Sequence, residues 1–303
     1  MRPGTSVLLT FHGSVEQLDD LPAFLTNIGR GRAPRPDVLD EVRRRYQAIG
    51  GSPMVRITRA QADALAERLG VPVRAAGRLW GPYPAEVLGA LHAEGARRVL
   101  SLPLAPQSVH VYHAPVREAA AALPGLALVE APAWGLEPSL IDAFLETIDD
   151  ALATLGGQRT GASVVLTAHS LPRRVIDAGD PYERDFRAMA GQVAARLAER
   201  GIDARIAFQS QGMTGDAWLG PDLPSTFAEL AGSGVRTVLV APIGFVSDHV
   251  ETLYDLDVEA PKLAAACGIE RLVRAQALNT RPRFIDALEA VARRALAEPA
   301  GAG

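Results

Sequence analysis

Short apolar runs of strand type alternate with helical patterns along the 303-residue chain. This predicts an α/β protein of two Rossmann-like domains, each a four-stranded parallel sheet flanked by helices, with a cleft between them. Three observations carry the prediction. The length exceeds what a single core usually supports, so two domains are expected. A hydrophobic content of 48% and a charged content of 22% are those of an ordinary globular protein. The alternation also falls into two halves about a polar, glycine-bearing stretch, GQRTGA at 157–162, which reads as a hinge. The domains are therefore expected at 1–156 and 157–281, with a closing helix over about 282–297 packing back onto the first.

In chain order, 6–11 reads as the first strand, ending at His12-Gly13. Helices follow over 18–28 and 36–49; Pro36-Asp37 starts the second and Gly50-Gly51 stops it. A helix over 58–69, a strand over 71–75, a helix over 84–93, a strand over 98–104, a helix over 111–121 and a strand over 126–131 complete the first half. A helix over 138–155 leads to the hinge. The second half gives strands over 163–167, 205–208, 236–240 and 271–275. Its helices fall over 181–200, 224–231 and 282–296, with a further acidic helix after Asp248. The tail over 298–303 is expected to be disordered.

Composition excludes several functions. A formal net charge of −4 gives no basic footprint for nucleic acid. Cys267 is the sole cysteine, so neither a cysteine-ligated iron–sulfur cluster nor a disulfide is expected, which suits a reducing cytoplasm. The N-terminus has no signal-peptide pattern, and no apolar run is long enough for a membrane span. Gly29-Arg30-Gly31-Arg32 follows a helix, not a strand, so it is no dinucleotide fingerprint.

The chemistry is expected at strand C-terminal ends, where open α/β sheets bind ligands. Those ends carry Phe11-His12-Gly13, Thr167-Ala168-His169-Ser170, Phe208-Gln209-Ser210-Gln211 and the stretch Pro242 to Glu251. After the last of these, Ser247 or Asp248 supplies a helix cap. Glu251, Asp255 and Glu259 then recur at a spacing of four, with His249 beside them. On an α-helix that spacing stacks carboxylates on one face, a cation path. The competing reading is a solvated acidic face, as charge rows usually are. Two histidines and a carboxylate at the same kind of strand end favour chemistry, because imidazole both ligates metals and moves protons near neutral pH.

Several of these segments resemble the ferrochelatase family. TAHSLPRRVIDAGDPY, FQSQGMTGDAWLGPD, APIGFVSDHVETLYDLDVE, IGRGRAPRP and RRRYQAIGGSPM match its motifs in order, across nearly the whole chain. The branch most resembled is the soluble bacterial one, which metallates coproporphyrin III. The resemblance implies the chelatase-like pair of domains, with a porphyrin between them. It implies that His169 stands beside the pyrrole nitrogens with Glu251 facing it, both as catalytic and metal-binding residues. Asp255 and Glu259 match the acidic row behind them, where an outer, regulatory divalent ion can bind. Arg30, Arg45, Tyr46, Ser52 and Tyr112 fall where similar enzymes hold porphyrin propionates, and His12 stands where the soluble branch usually has a metal-facing tyrosine.

The residue types suit that chemistry. Inserting Fe²⁺ requires the macrocycle to lose two N–H protons, and a histidine is a base suited to neutral pH. Carboxylate oxygens hold Fe²⁺ loosely enough to release it, and arginine pairs propionates bidentately. Glu251 is suited to metal binding, proton relay, or both. Iron and porphyrin are substrates, so no resident cofactor or cluster is implied; hand-over contacts with neighbouring haem-pathway enzymes are the implied partners. Three departures stand out: Gly29 replaces what is often a second arginine, the segments around Ser52 and Tyr112 are shortened, and the long hydrophobic lip of membrane-associated relatives is missing. Protoporphyrin IX, another metal, or a non-catalytic porphyrin carrier remain the alternatives.

Overall fold

The computed structural model describes residues 2–159, 161–212 and 216–297. The tail over 298–303, part of the 208–222 motif and part of the 157–162 stretch lie outside the described residues. Among the described residues the strands are β1 (Thr5–Phe11), β2 (Val73–Gly77), β3 (Arg98–Pro103), β4 (Ala127–Glu130), β5 (Ser163–His169), β6 (Asp203–Gln209), β7 (Thr237–Ala241) and β8 (Arg271–Arg274). The α-helices are α1 (Leu21–Ile28), α2 (Pro36–Ala48), α3 (Met54–Leu69), α4 (Pro84–Ala93), α5 (Val109–Ala121) and α6 (Pro138–Ala153), followed by α7 (Arg173–Asp177), α8 (Tyr182–Ala198), α9 (Leu223–Gly232), α10 (Val250–Tyr254), α11 (Ala260–Ala266) and α12 (Pro282–Ala297).

Most expected elements are present, with shifts that have local causes. The first expected helix is split, a 3₁₀ turn at Leu18–Asp20 giving way to α1, which carries Pro22 in its first turn. The strand expected over 71–75 begins later, at Val73, past Pro72, which has no N–H for a ladder. The short helix α7 carried no periodicity long enough to read.

The chain forms two compact units, Met1–Glu137 with Asn279–Gly303, and Pro138–Leu278. The boundary therefore lies at Glu137/Pro138, not at the expected 156/157. Gly156, at φ 54°, follows the end of α6, so the glycine-bearing break there ends a helix within the second unit. Helix α6 packs against α8 and β7 and belongs to the second unit. Helix α12 belongs to the first, where Phe284 stacks on Trp134 and Arg294 donates to the buried Glu137.

Each unit holds one parallel four-stranded sheet, in the orders β2-β1-β3-β4 and β6-β5-β7-β8. These are the same order, although the two halves share no residue-level repeat. The two central strands that begin the sheets, β1 and β5, are apolar and buried, as strands covered on both faces must be. In the first unit Leu8, Leu88, Leu91 and Val116 pack one face. In the second, Val165, Phe227, Val240 and Leu256 do the same. In this order the chain turns to the other side of its first strand after the second, so the switch points lie at β1/β3 and β5/β7. Ligands in open α/β sheets bind at such points, beyond the strand C-termini. Among the described residues no helix is long and apolar enough to cross a membrane.

Candidate active site

The β5/β7 switch point is built by close backbone approach. Gly244, in the loop after β7, donates its N–H to the Thr167 carbonyl at 2.9 Å. A Cβ at Gly244 would collide with Ala168, so only glycine lets this loop lie against the end of β5. The loop then delivers α10 beside His169. The backbone after β5 is fixed in turn: the Tyr182 hydroxyl donates to the His169 carbonyl (2.8 Å), and the buried Ser170 hydroxyl donates to the Leu219 carbonyl (2.9 Å).

His169 Nδ1–H donates to Glu251 Oε2 at 3.0 Å, and the two side chains are 34% and 32% exposed. Burial acts to lower the imidazole pKa, but the Glu251 charge and hydrogen bond, helped by Asp255, outweigh it and hold it above its usual 6.5. Burial acts to raise the Glu251 carboxyl; His169 and then His249 outweigh that and hold it well below 4.5. His249 caps α10, its Nδ1–H donating to the Ser247 carbonyl (3.0 Å) and its Nε2 lying 3.7 Å from Glu251. The cap is therefore His249 and not the expected Ser247 or Asp248.

Glu251, Asp255 and Glu259 do not form one uniform α-helical row. Between α10 and α11 the chain widens into a π-helical turn at Asp255–Glu259, with the Ala260 N–H reaching back five residues to the Asp255 carbonyl. Pro261 gives the reason: it has no N–H for the Asp257 carbonyl, and its ring would clash with that carbonyl in a regular helix. The three carboxylates consequently take three different partners. Glu251 binds His169, Asp255 accepts from the Ser210 hydroxyl, and Glu259 accepts from the buried Tyr254 hydroxyl at 3.0 Å. Among the described residues no three His, Cys, Asp or Glu side chains converge as a ready-made metal site.

Strand β6 and the residue after it supply two side chains that the sequence reading placed at a strand end without assigning them work. Gln209 is buried and donates from Nε2 to the Glu251 carbonyl at 2.9 Å. Ser210 adopts a left-handed backbone, φ 61°, which aims its hydroxyl at Asp255. Their signal in sequence was the polar FQSQ run closing an apolar strand.

In the first unit the strand ends are aromatic and cationic. His12 is exposed after β1 and meets Phe24 edge-on, ring centroids 6.3 Å apart; Phe24 meets Trp80 at 6.0 Å. The Arg78 guanidinium lies over the Tyr112 ring, 5.9 Å from its centroid, a cation–π contact that sequence reasoning missed. Tyr46 is buried and shares a 3.1 Å hydrogen bond with Ser14. Arg45 Nε donates to Glu41 at 2.7 Å, Ser52 accepts the Met54 N–H at 3.5 Å, and Arg30 is exposed in a left-handed turn. Arg45 and Tyr46 share α2, Tyr112 lies on α5, and His12, Arg30 and Ser52 lie outside the helices and strands.

Two parallel four-stranded sheets of one strand order make a chelatase-like fold. The likeness to solved structures agrees: SirB from Bacillus subtilis, solved with Fe³⁺, superposes with a TM-score of 0.59 over 96% of this chain and 95% of its own, at 16% identity. The ferrochelatase family model matches residues 4–296. A ferrochelatase of Herpetosiphon aurantiacus is 34% identical over 304 residues, covering 96% of this chain and 99% of the relative. A coproporphyrin III ferrochelatase of Anoxybacillus flavithermus is 34% identical over 300 residues, covering 94% of each. The chain belongs to the ferrochelatase family, whose chemistry is metal insertion into a porphyrin.

Proposed function

We propose that the protein inserts Fe²⁺ into coproporphyrin III in the cytoplasm, releasing two protons. The observation that carries this reading is the His169–Glu251 hydrogen bond. Because Nδ1–H is committed to the carboxylate, Nε2 is the ring nitrogen left to take a pyrrole proton. The Glu251 charge that raises the His169 pKa makes its neutral imidazole a stronger base than a free histidine. Fe²⁺ arriving beside a charged imidazole would repel it and drive the accepted proton out. Glu251 then serves in metal binding, in proton relay, or in both. Asp255 supplies an ion-binding oxygen next to this pair. Glu259, tied to Tyr254, is a weaker candidate, and a regulatory ion would have to draw the row together first.

Arg30, Arg45, Tyr46, Ser52 and Tyr112 are proposed to hold the propionates, and His12 to face the iron. Coproporphyrin III carries four propionates and protoporphyrin IX two, so the number of cationic and hydroxyl donors favours the former. The resemblance to the soluble bacterial branch supports the same choice. The test is an anaerobic metallation assay with both porphyrins and with Fe²⁺, Co²⁺ and Zn²⁺. A clear preference for coproporphyrin III with Fe²⁺ is expected; faster turnover of protoporphyrin IX would reject the substrate, and no insertion at all would reject the activity. An iron–imidazole stretch in the ferrous product complex, lost in His12→Ala, is expected if His12 ligates the product.

A further inference from the structure

Arg274 ends β8, and its side chain is 11% exposed. Nη1 donates to Asp248 Oδ1 at 3.0 Å, while Nε and Nη2 grip the two oxygens of Asp257 at 2.7 and 2.9 Å. Nη1 also lies 3.3 Å from the Ala275 carbonyl. Burial acts to lower the pKa of this guanidinium, but Asp257 and Asp248 reverse the effect and keep it charged. The two carboxylates it joins bracket Glu251. Asp248 precedes α10, and its Oδ1 also accepts from the Thr252 hydroxyl (3.0 Å), which in turn accepts the His249 N–H (3.0 Å). Asp257 lies inside the π-helical turn beyond Asp255. One guanidinium therefore fastens both the entry to α10 and the irregular turn at its exit.

We propose that Arg274 is a positioning residue for metal insertion: by binding Asp248 and Asp257 on either side of Glu251, it sets where the Glu251 carboxylate meets His169. The proposal rests on the reading of His169 and Glu251 as the reacting pair. A five-residue helix running into a π turn has few internal bonds to hold its direction, and the fork geometry of arginine joins two carboxylates where a lysine reaches one. Displacing a reacting group by about 1 Å costs on the order of 100-fold in rate. Its four hydrogen bonds go to Asp248, Asp257 and the Ala275 carbonyl, so its effect on the reacting pair is exerted through the segment it holds.

The test compares wild type with R274K, R274Q and D257N. It reads kcat and KM for Fe²⁺, porphyrin affinity by fluorescence quenching, and amide hydrogen exchange over 250–259. R274Q should lower kcat by roughly 30- to 100-fold, leave porphyrin affinity within about threefold, and speed exchange over that segment selectively. R274K should recover part of the loss, since it restores one of two ion pairs. D257N, which removes the more exposed arm (Asp257 is 42% exposed), should lower kcat by about three- to tenfold. A kcat within about twofold of wild type in R274Q and D257N would overturn the proposal, as would a loss confined to porphyrin affinity. Should R274Q fail to fold, D257N decides alone by the same criteria. A wild-type protein that inserts no metal would sink the functional reading instead; selective loosening of 250–259 in R274Q would still establish the clamp, and unchanged exchange would remove it.

Discussion

At the β5/β7 switch point His169, Glu251 and Asp255 are each held by a side chain from another element. At the equivalent β1/β3 switch point, His12 lies exposed against an aromatic edge, and the neighbouring arginines sit on loops or helix surfaces. The strand order is the same in both sheets, so the fold does not impose the difference. It lies in what each strand end carries. Groups that exchange protons with a substrate gain from being fixed before it arrives. Groups that hold carboxylates at the periphery of a large ring lose little by adapting, and long arginine side chains are suited to that.

That contrast can be broken. The largest effect should come from His169→Ala, which is expected to lower metallation by about 10²- to 10⁴-fold, the worth of a general base, with porphyrin affinity nearly intact. A rate within about tenfold of wild type in a stopped-time assay would dissolve the division between the two units. Arg45→Ala should do the opposite. Loss of a charge-assisted hydrogen bond is worth about 1.5–3 kcal/mol, so porphyrin should bind roughly tenfold or more weakly while kcat at saturation changes little. A fall in kcat without a change in binding would place Arg45 with the reacting groups.

Smaller effects sharpen the comparison within the acidic segment. Asp255→Asn should raise KM for Fe²⁺ several-fold, because Asp255 lies in the network with His169, whereas Glu259→Gln should leave KM unchanged. The latter should cost only about 1 kcal/mol of stability through the bond from Tyr254, measurable by urea denaturation. Equal effects of both changes on KM would restore the uniform row that the four-residue spacing implied.

The smallest expected effect is the pH dependence of stability carried by the pair. The raised His169 pKa contributes stability that is full below about 6.5 and is lost as pH rises through the folded value. The lowered Glu251 pKa contributes stability that is full above about 4.5 and is lost as pH falls through its folded value. The pair should therefore stabilise most between those two pH values. Because both side chains are a third exposed, the contribution should stay below about 1 kcal/mol. Denaturation of wild type and Glu251→Gln at pH 5.5 and 8.5 checks the sign: the difference between them should be larger at pH 5.5.

Much of this protein was legible in its chain. Period-two and period-3.6 patterns, proline starts and glycine stops are local, and they gave the alternating elements and the strand ends where polar residues gather. The specific segments around His169, Gln209 and Glu251 gave the family. The site was legible as a set of residues but not as a geometry. Pro261 was visible, yet its consequence, a π turn that parts Glu259 from Glu251 and Asp255, depends on where a helix already held by Arg274 can yield. Gly156 was visible as a break, yet whether it ends a helix or a domain depends on which unit α6 packs against. The pairing of His169 with Glu251 joins residues 82 apart in sequence. The order of the strands and the close approach at Gly244 bring them together. Local periodicity is set by each residue and its near neighbours, whereas strand order and pairing are set by which distant surfaces bury one another, and that only the tertiary structure decided.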